Sequence, residues 1–162
     1  MTTASDDAQL RIAAITLDER TVLRRSAVIE HERATAITDL LKDNCFAPHS
    51  GRAGPFDVHL AVAENRLSLA IRSQADESSE TIVLPLAPFR RIVKDYFLVC
   101  ETYHDAIRGK SLVQVEAIDV GRRSLHDEGA ALLIERLADK AAIDHATARR
   151  LFTLICVLHL RA

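Results

Sequence analysis

The sequence predicts an α+β fold, in which a small, mostly antiparallel sheet packs as a two-layer sandwich against three or four C-terminal helices. Three consecutive segments between residues 56 and 84 have the patterning of β-strands. Residues 84–108 then carry apolar side chains at three-and-four spacing, which is typical of an amphipathic helix. Because no helical pattern separates the three strands, we expect an antiparallel meander and not a doubly wound parallel sheet.

One strand and one helix are predicted ahead of the meander. Residues 1–9 are small, polar and acidic, so we expect a disordered tail there and a single globular domain over residues 10–162. The strand is expected over Arg11–Leu17 and the helix over about residues 26–44. The predicted apolar stripe of this helix consists of Ala34, Ile37, Leu40 and Leu41.

The meander is predicted from the alternation of apolar and polar residues. Phe56–Ala63 alternates throughout, residues 64–66 suit a turn, and residues 67–71 alternate again. Residues 81–84 form a short third strand. The preceding residues 47–55 contain two glycines and two prolines and predict a connecting loop, without the Gly-Lys-Ser/Thr signature of a phosphate loop.

The central helix is predicted to begin at Pro88, which suits a first helical turn, and to end at Gly109. Its buried stripe is expected to consist of Ile92, Val93, Tyr96, Cys100, Tyr103 and Ile107. Leu98 interrupts the polar face. A single exposed apolar residue is ordinary, and the alternative is a contact with another helix or another chain.

The pattern after Gly109 predicts two separate helices. Leu112–Val120 is expected to end near Gly121, and Ser124-x-x-Asp127 resembles a capping box that begins a new helix. This second helix is expected to run to about residue 140 and to bury Gly129, Ala130, Leu133 and Leu137.

A last helix is predicted to be capped by Asp144. Its segment Leu151–Leu160 is apolar nearly all round. Such a segment lies either at the centre of a helical layer or in a subunit interface.

Composition excludes several classes of protein. The net charge of −2 argues against general nucleic-acid binding, which needs a basic excess. The three cysteines are widely spaced and no signal peptide is recognisable, so we expect a reducing compartment and a cytoplasmic protein. The longest apolar run is too short to cross a bilayer, so no membrane partner is expected.

Two basic clusters form a candidate anion-binding site: Arg90, Arg91 and Lys94, and Arg122, Arg123 and His126. The first cluster lies in the opening turns of the central helix, where the macrodipole disfavours basic side chains, so an anionic ligand is one explanation. Arginine pairs can hold a phosphate or carboxylate bidentately, and His126 with Glu128 could act as acid and base. The alternative is two solvated charged helix faces.

The sequence does not predict a metal site. Cys100 with His104, and Cys156 with His159, could in principle supply a tetrahedral zinc site. Their spacings differ from those of compact zinc modules, and free cysteines usually pack in the core. We therefore expect no cofactor, and a buried, inert Cys100.

Four segments resemble a known family: Glu30–Arg33, Pro88–Phe97, Glu116–His126 and Ala148–His159. They resemble UPF0262, an uncharacterised protein family of alphaproteobacteria, and the resemblance extends from about Arg11 to the C-terminus. It implies a bacterial, cytoplasmic, single-domain protein. It carries over no catalytic residue, because no activity is assigned to the family.

Two functions remain open. The first is a regulatory or adaptor module that binds a protein partner or a second copy of itself, and the lack of a recognisable catalytic set favours it. Leu98 and the apolar last helix would supply its contact surface. The alternative is an enzyme or sensor that binds a small phosphorylated or carboxylated ligand through the basic clusters.

Overall fold

A computed structural model describes residues 9–19 and 27–159. Except for Gln9, the predicted tail lies outside the described residues, and so does Leu160. The elements are, in chain order, β1 (Ile12–Leu17), α1 (Ala27–Lys42), β2 (Phe46–Pro48), β3 (Phe56–Ala63), β4 (Arg66–Ser73), β5 (Ser79–Pro85), a 3₁₀ turn (Ala87–Phe89), α2 (Arg90–Gly109), α3 (Leu112–Leu137), β6 (Ala141–Ile143) and α4 (His145–His159).

The described residues form a four-stranded sheet in the order β1-β3-β4-β5, with the helices concentrated in the C-terminal half. The meander β3-β4-β5 is antiparallel, which confirms the predicted fold class. β1 pairs in parallel with β3, and α1 lies in the connection between them. That parallel pairing was not predicted, because a strand's pattern does not specify its neighbour.

The inner face of the sheet forms one side of the core. Phe56, Val58, Leu60 and Val62 of β3 are buried, and Leu67, Leu69 and Ile71 of β4 are buried opposite them. The predicted alternation is therefore confirmed. The predicted loop over residues 47–55 was partly wrong, because residues 46–48 form β2 and pair with the distant β6.

The buried face of α1 differs from the predicted stripe. Ile29, Glu32, Ala36 and Leu40 are buried, whereas Ala34 and Leu41 are exposed. A search for apolar residues misses this face because its centre is a glutamate. The carboxylate of Glu32 is accommodated by polar partners described below.

The predicted stripe of α2 is correct except at its C-terminal end. Ile92, Val93, Tyr96 and Cys100 are buried, but Ile107 is 54% exposed. Residues 107–114 are all exposed, so the turn between α2 and α3 projects beyond the packed layer.

The predicted break at Gly121 was wrong, since α3 is one continuous helix of 26 residues. Its N-cap is Ser111, which forms a capping box with Gln114, and not Ser124. An exposed glycine costs a helix only about 1 kcal/mol relative to alanine, and packing against α2 and α4 offsets that cost. The predicted burial of Gly129, Ala130, Leu133 and Leu137 is confirmed.

Helix α4 forms the centre of the helical layer. Asp144 caps it as predicted, with Thr147 N donating to Asp144 Oδ1 at 2.9 Å. Residues 151–158 are all buried, and α4 packs against α1, α3 and β3. The all-round apolar character of this segment therefore reflects core packing within the chain. None of the helices in the described part of the chain combines the length and apolar character that crossing a bilayer requires.

The two glycines of α3 lead to opposite predictions for alanine substitution. A Cβ on Gly129 would lie 2.5 Å from the Phe152 ring, whereas nothing lies within 4 Å of a Cβ on Gly121. We expect Gly129→Ala to lower the free energy of unfolding by about 1–2 kcal/mol through overpacking. Gly121→Ala should raise it by about 0.5–1 kcal/mol through helix propensity. Urea denaturation of both variants measures the difference, and an equal effect at the two positions would contradict this description of α3.

Candidate functional site

A cavity of about 300 Å³ lies between α1, α3 and the first half of α4. Its polar lining consists of Glu32, Thr35, Asp39, Arg122, Arg123, His126, Arg149, Arg150 and Thr153. Among the described residues the walls thus carry four arginines and two carboxylates. The cavity is locally basic, although the net charge of the chain is −2.

Glu32 supports the wall of the cavity from α1 and is 8% exposed. Tyr96 Oη donates to Glu32 Oε2 at 3.2 Å, and His104 Nε2 lies 3.3 Å from Glu32 Oε1. Arg122 Nη1 is 3.7 Å from the same Oε1. A buried carboxylate is tolerated when it is paired and hydrogen-bonded in this way, and the pairing holds Arg122 at the cavity.

Arg122 is oriented from three sides. Its Nε and Nη2 donate to Asp119 Oδ1 at 3.1 and 3.0 Å, one turn earlier in α3. Its guanidinium lies over the Tyr103 ring, 4.6 Å from the centroid. Burial lowers the pKa of Arg122, but the hydrogen bond to Asp119 and the charge of Glu32 outweigh burial, so that its pKa is raised. Arg122 is therefore a fixed positive charge.

His126 is buried in the cavity wall to the same extent as Glu32, with 8% of its surface exposed. Its Nε2 lies 3.5 Å from Thr153 Oγ1, and its ring centroid is 5.1 Å from that of Tyr96. The pKa of His126 is lowered to about 4, chiefly by burial and in addition by the charges of Arg122 and Arg149. The imidazole is consequently neutral near pH 7.

The remaining arginines of the cavity form fewer hydrogen bonds and ion pairs with described residues than Arg122 does. Arg149 Nε is buried without a hydrogen bond among the described residues, and its nearest carboxylate oxygen, Asp127 Oδ1, is 3.6 Å away. Arg123 pairs with Asp119 at 2.7 Å but keeps a largely exposed side chain. Arg150 lines the cavity and forms no ion pair within the described ranges. These guanidinium groups have donors available to a ligand.

The structure brings part of the predicted site together. Arg122, Arg123 and His126 line the cavity. Arg91 instead bridges to Glu128 of α3 at 2.5 Å and to Asp95 at 3.3 Å, outside the cavity. The other two members of that cluster do not line the cavity either: Arg90 donates to the side chain of Asn65, and Lys94 is exposed.

Sequence reasoning missed Glu32, Arg149, Arg150 and Thr153 as cavity residues. Glu128, predicted as an acid or base, pairs with Arg91, and the carboxylates whose charges act on His126 are those of Glu32 and Asp127. One signal was present: Glu32 continues the three-and-four spacing from Ile29 to Ala36 and Leu40. A charged residue within such a stripe indicates a buried polar contact.

The cysteines take no part in the cavity. Burial raises the pKa of Cys100 to about 12, and burial also raises that of Cys156 well above its usual value. His104, considered with them as a zinc ligand, lies beside Glu32 instead. Within residues 9–19 and 27–159, no three His, Cys, Asp or Glu side chains are grouped so as to hold a metal ion.

The fold and the cavity together define a small α+β protein whose helical layer holds a basic, histidine-containing pocket. The chain belongs to UPF0262, described as an uncharacterised protein family, whose model matches residues 9–161. This confirms the family predicted from the sequence motifs.

Similar proteins come mostly from alphaproteobacteria. The UPF0262 protein of Rhodospirillum rubrum is 58% identical over 147 residues, which cover 91% of each chain. The UPF0262 protein of Nitrobacter winogradskyi is 52% identical over 158 residues, covering 98% of this chain and 95% of its own. That of Rhodopseudomonas palustris strain BisA53 is 53% identical over 160 residues, covering 98% of each. No solved structure is significantly similar to the chain.

Proposed function

We propose that the protein binds a small phosphorylated or carboxylated ligand in the cavity between α1, α3 and α4. The observation that carries this proposal is that four arginines and a buried histidine line one concavity. Arginine's planar fork matches the oxygens of phosphate and carboxylate groups, and it is the usual choice for their recognition. Convergent charged groups in a cleft are a general mark of a binding site.

The state of Arg149 supports this proposal. Arg149 Nε is buried without a hydrogen bond among the described residues, and its ion pair with Asp127 Oδ1 is 3.6 Å long. A buried donor that lacks a hydrogen bond costs free energy of about 1–3 kcal/mol. Arg149 also lines the cavity, so its guanidinium has N–H groups to offer an oxygen of an anionic ligand there. The volume of about 300 Å³ lies at the lower end of small-molecule sites, which favours a small metabolite over a dinucleotide.

The free state of all three cysteines supports a cytoplasmic site of action. In such a compartment, small phosphorylated and carboxylated metabolites are available as ligands. Such binding would serve sensing or catalysis, and the acid–base groups that line the cavity are Glu32, Asp39 and His126.

A second candidate is a protein-binding module, with a second copy of the chain as one possible partner. The turn between α2 and α3 carries the exposed apolar side chains of Ile107, Leu112 and Val113, and Val120 is exposed further along α3. Leu98 of α2 is also 57% exposed. Exposed apolar side chains of this kind favour an interaction surface, and they would remain exposed if the cavity bound nothing.

The test is a thermal-melt panel followed by calorimetry. The probes are inorganic phosphate, sugar phosphates, nucleoside monophosphates and small carboxylates. A probe at 100 times its Kd should raise the Tm by about 5–10 °C. The double substitution Arg149→Ala with Arg150→Ala should weaken its binding by about 100-fold or more, because each charge-assisted hydrogen bond contributes about 1.5–3 kcal/mol.

The matched control is Arg136→Ala, which removes an exposed arginine of α3 that does not line the cavity. This variant should bind with wild-type affinity. A panel without any shift, or a shift that survives the double substitution, would contradict the proposal and favour the protein-binding module.

A further inference from the structure

We infer that His126 makes the cavity selective for a phosphate monoester dianion, because the histidine takes up a proton and donates a hydrogen bond when that ligand binds. This inference rests on the proposed function and deepens it. It is carried by the position of His126, which is buried in the wall of a cavity that Arg122 and Arg149 also line, and whose side-chain polar contact among the described residues is the 3.5 Å contact with Thr153.

Every element packed around His126 contributes a group to its electrostatic environment. These groups are Glu32 and Asp39 of α1, Tyr96 of α2, Arg122, Arg123 and Asp127 of α3, and Arg149 and Arg150 of α4. The carboxylates that act on His126 already have other partners. Glu32 accepts a hydrogen bond from Tyr96 and pairs with Arg122, and Asp127 Oδ1 lies 3.0 Å from His145 Nε2. The arginines are not fully neutralised, so their charges disfavour protonation of His126.

A dianion in the cavity would instead favour protonation of His126. Two negative charges beside the imidazole compensate the arginines and favour the imidazolium, which can then donate to a ligand oxygen. A phosphate monoester has three terminal oxygens, enough for the arginines and for His126 together. A monocarboxylate has one charge and two oxygens, which the arginines alone can satisfy, so it leaves the histidine neutral.

The sign of the pH dependence follows from this difference. The pKa of His126 is about 4 in the free protein and is higher in the complex, so binding takes up a proton and strengthens as pH falls through the pKa of the complex. A phosphate monoester itself loses its second charge below a pKa of about 6. The effect of His126 on binding should therefore be measured between about pH 8 and pH 6.5, where the ligand keeps most of its second charge.

The experiment is titration calorimetry of the full chain with glycerol phosphate and, separately, with acetate. Measurements at pH 7 in buffers of different ionisation enthalpy report the protons taken up. We expect about one proton for glycerol phosphate, an affinity at least about tenfold higher at pH 6.5 than at pH 8, and no uptake for acetate. His126→Gln should abolish the uptake, whereas His49→Gln, an exposed loop histidine, should retain it.

A measurement on the wild-type protein tests the same inference without relying on a variant that could misfold. The ¹H–¹³C resonances of the His126 ring should shift to the imidazolium position at pH 7 when glycerol phosphate saturates the protein. Binding without proton uptake, and with an unshifted His126 ring, would overturn this inference and leave the proposed function intact. Failure of every anionic probe to bind would instead overturn the proposed function.

Discussion

Replacing Glu32 by glutamine is expected to lower the free energy of unfolding by about 3 kcal/mol. Glu32 is 8% exposed and compensates Arg122 while accepting from Tyr96. Removing one partner of a buried ion pair leaves the other charge desolvated, which costs about 3–5 kcal/mol in fully buried cases. We take the lower end because the Arg122 side chain is 22% exposed and keeps its hydrogen bonds to Asp119.

Chemical denaturation in urea at pH 7 measures this loss. The control is Glu135→Gln, on the exposed side of α3, which should change stability by less than about 0.5 kcal/mol. An equally small change for Glu32→Gln would show that Arg122 does not depend on the carboxylate. Glu32→Gln should also weaken any anion bound in the cavity, because Arg122 would lose a group that orients it.

Replacing Phe152 by alanine is expected to cost about 3–5 kcal/mol. Phe152 is 0% exposed and lies at the centre of the helical layer, with its ring centroid 5.9 Å from that of Tyr96. Alanine would leave a cavity between α3 and α4, beneath the residues that form the polar site. The matched control is Phe97→Ala, on half-buried Phe97 of α2, which should cost less than half as much.

A double-mutant cycle tests the contact directly. Gly129→Ala is destabilising only because its Cβ would meet the Phe152 ring at 2.5 Å. In the Phe152→Ala background the new methyl group has room, so Gly129→Ala should become neutral or stabilising. Additive effects of the two substitutions would show that the residues do not interact.

Local patterns were enough to predict most secondary structure. The alternation of Phe56–Ala63 identifies both a strand and its buried face, because side chains of a strand alternate between its two faces. Asp144 identifies the start of α4, because a carboxylate at that position accepts from a free N–H. These features depend on residues within a few positions of one another.

The predictions that were wrong have a common cause: each of these features depends on residues that are distant in the sequence. Gly121 does not interrupt α3, because packing along α2 and α4 outweighs a small local cost. β2 exists because residues 141–143 pair with it from the other end of the chain. The buried face of α1 was misplaced because Glu32 is stabilised by Tyr96, which is 64 residues away.

The α+β class, the family and the buried faces of the meander were all predicted from the sequence. So were three residues of the candidate site, Arg122, Arg123 and His126. The tertiary structure was needed to show that Arg149 and Arg150 line the same cavity, and that Arg90, Arg91 and Lys94 do not. The physical reason is that strand faces and helix caps follow from short-range periodicity. A cavity follows from how three helices pack, and that packing is set by long-range contacts.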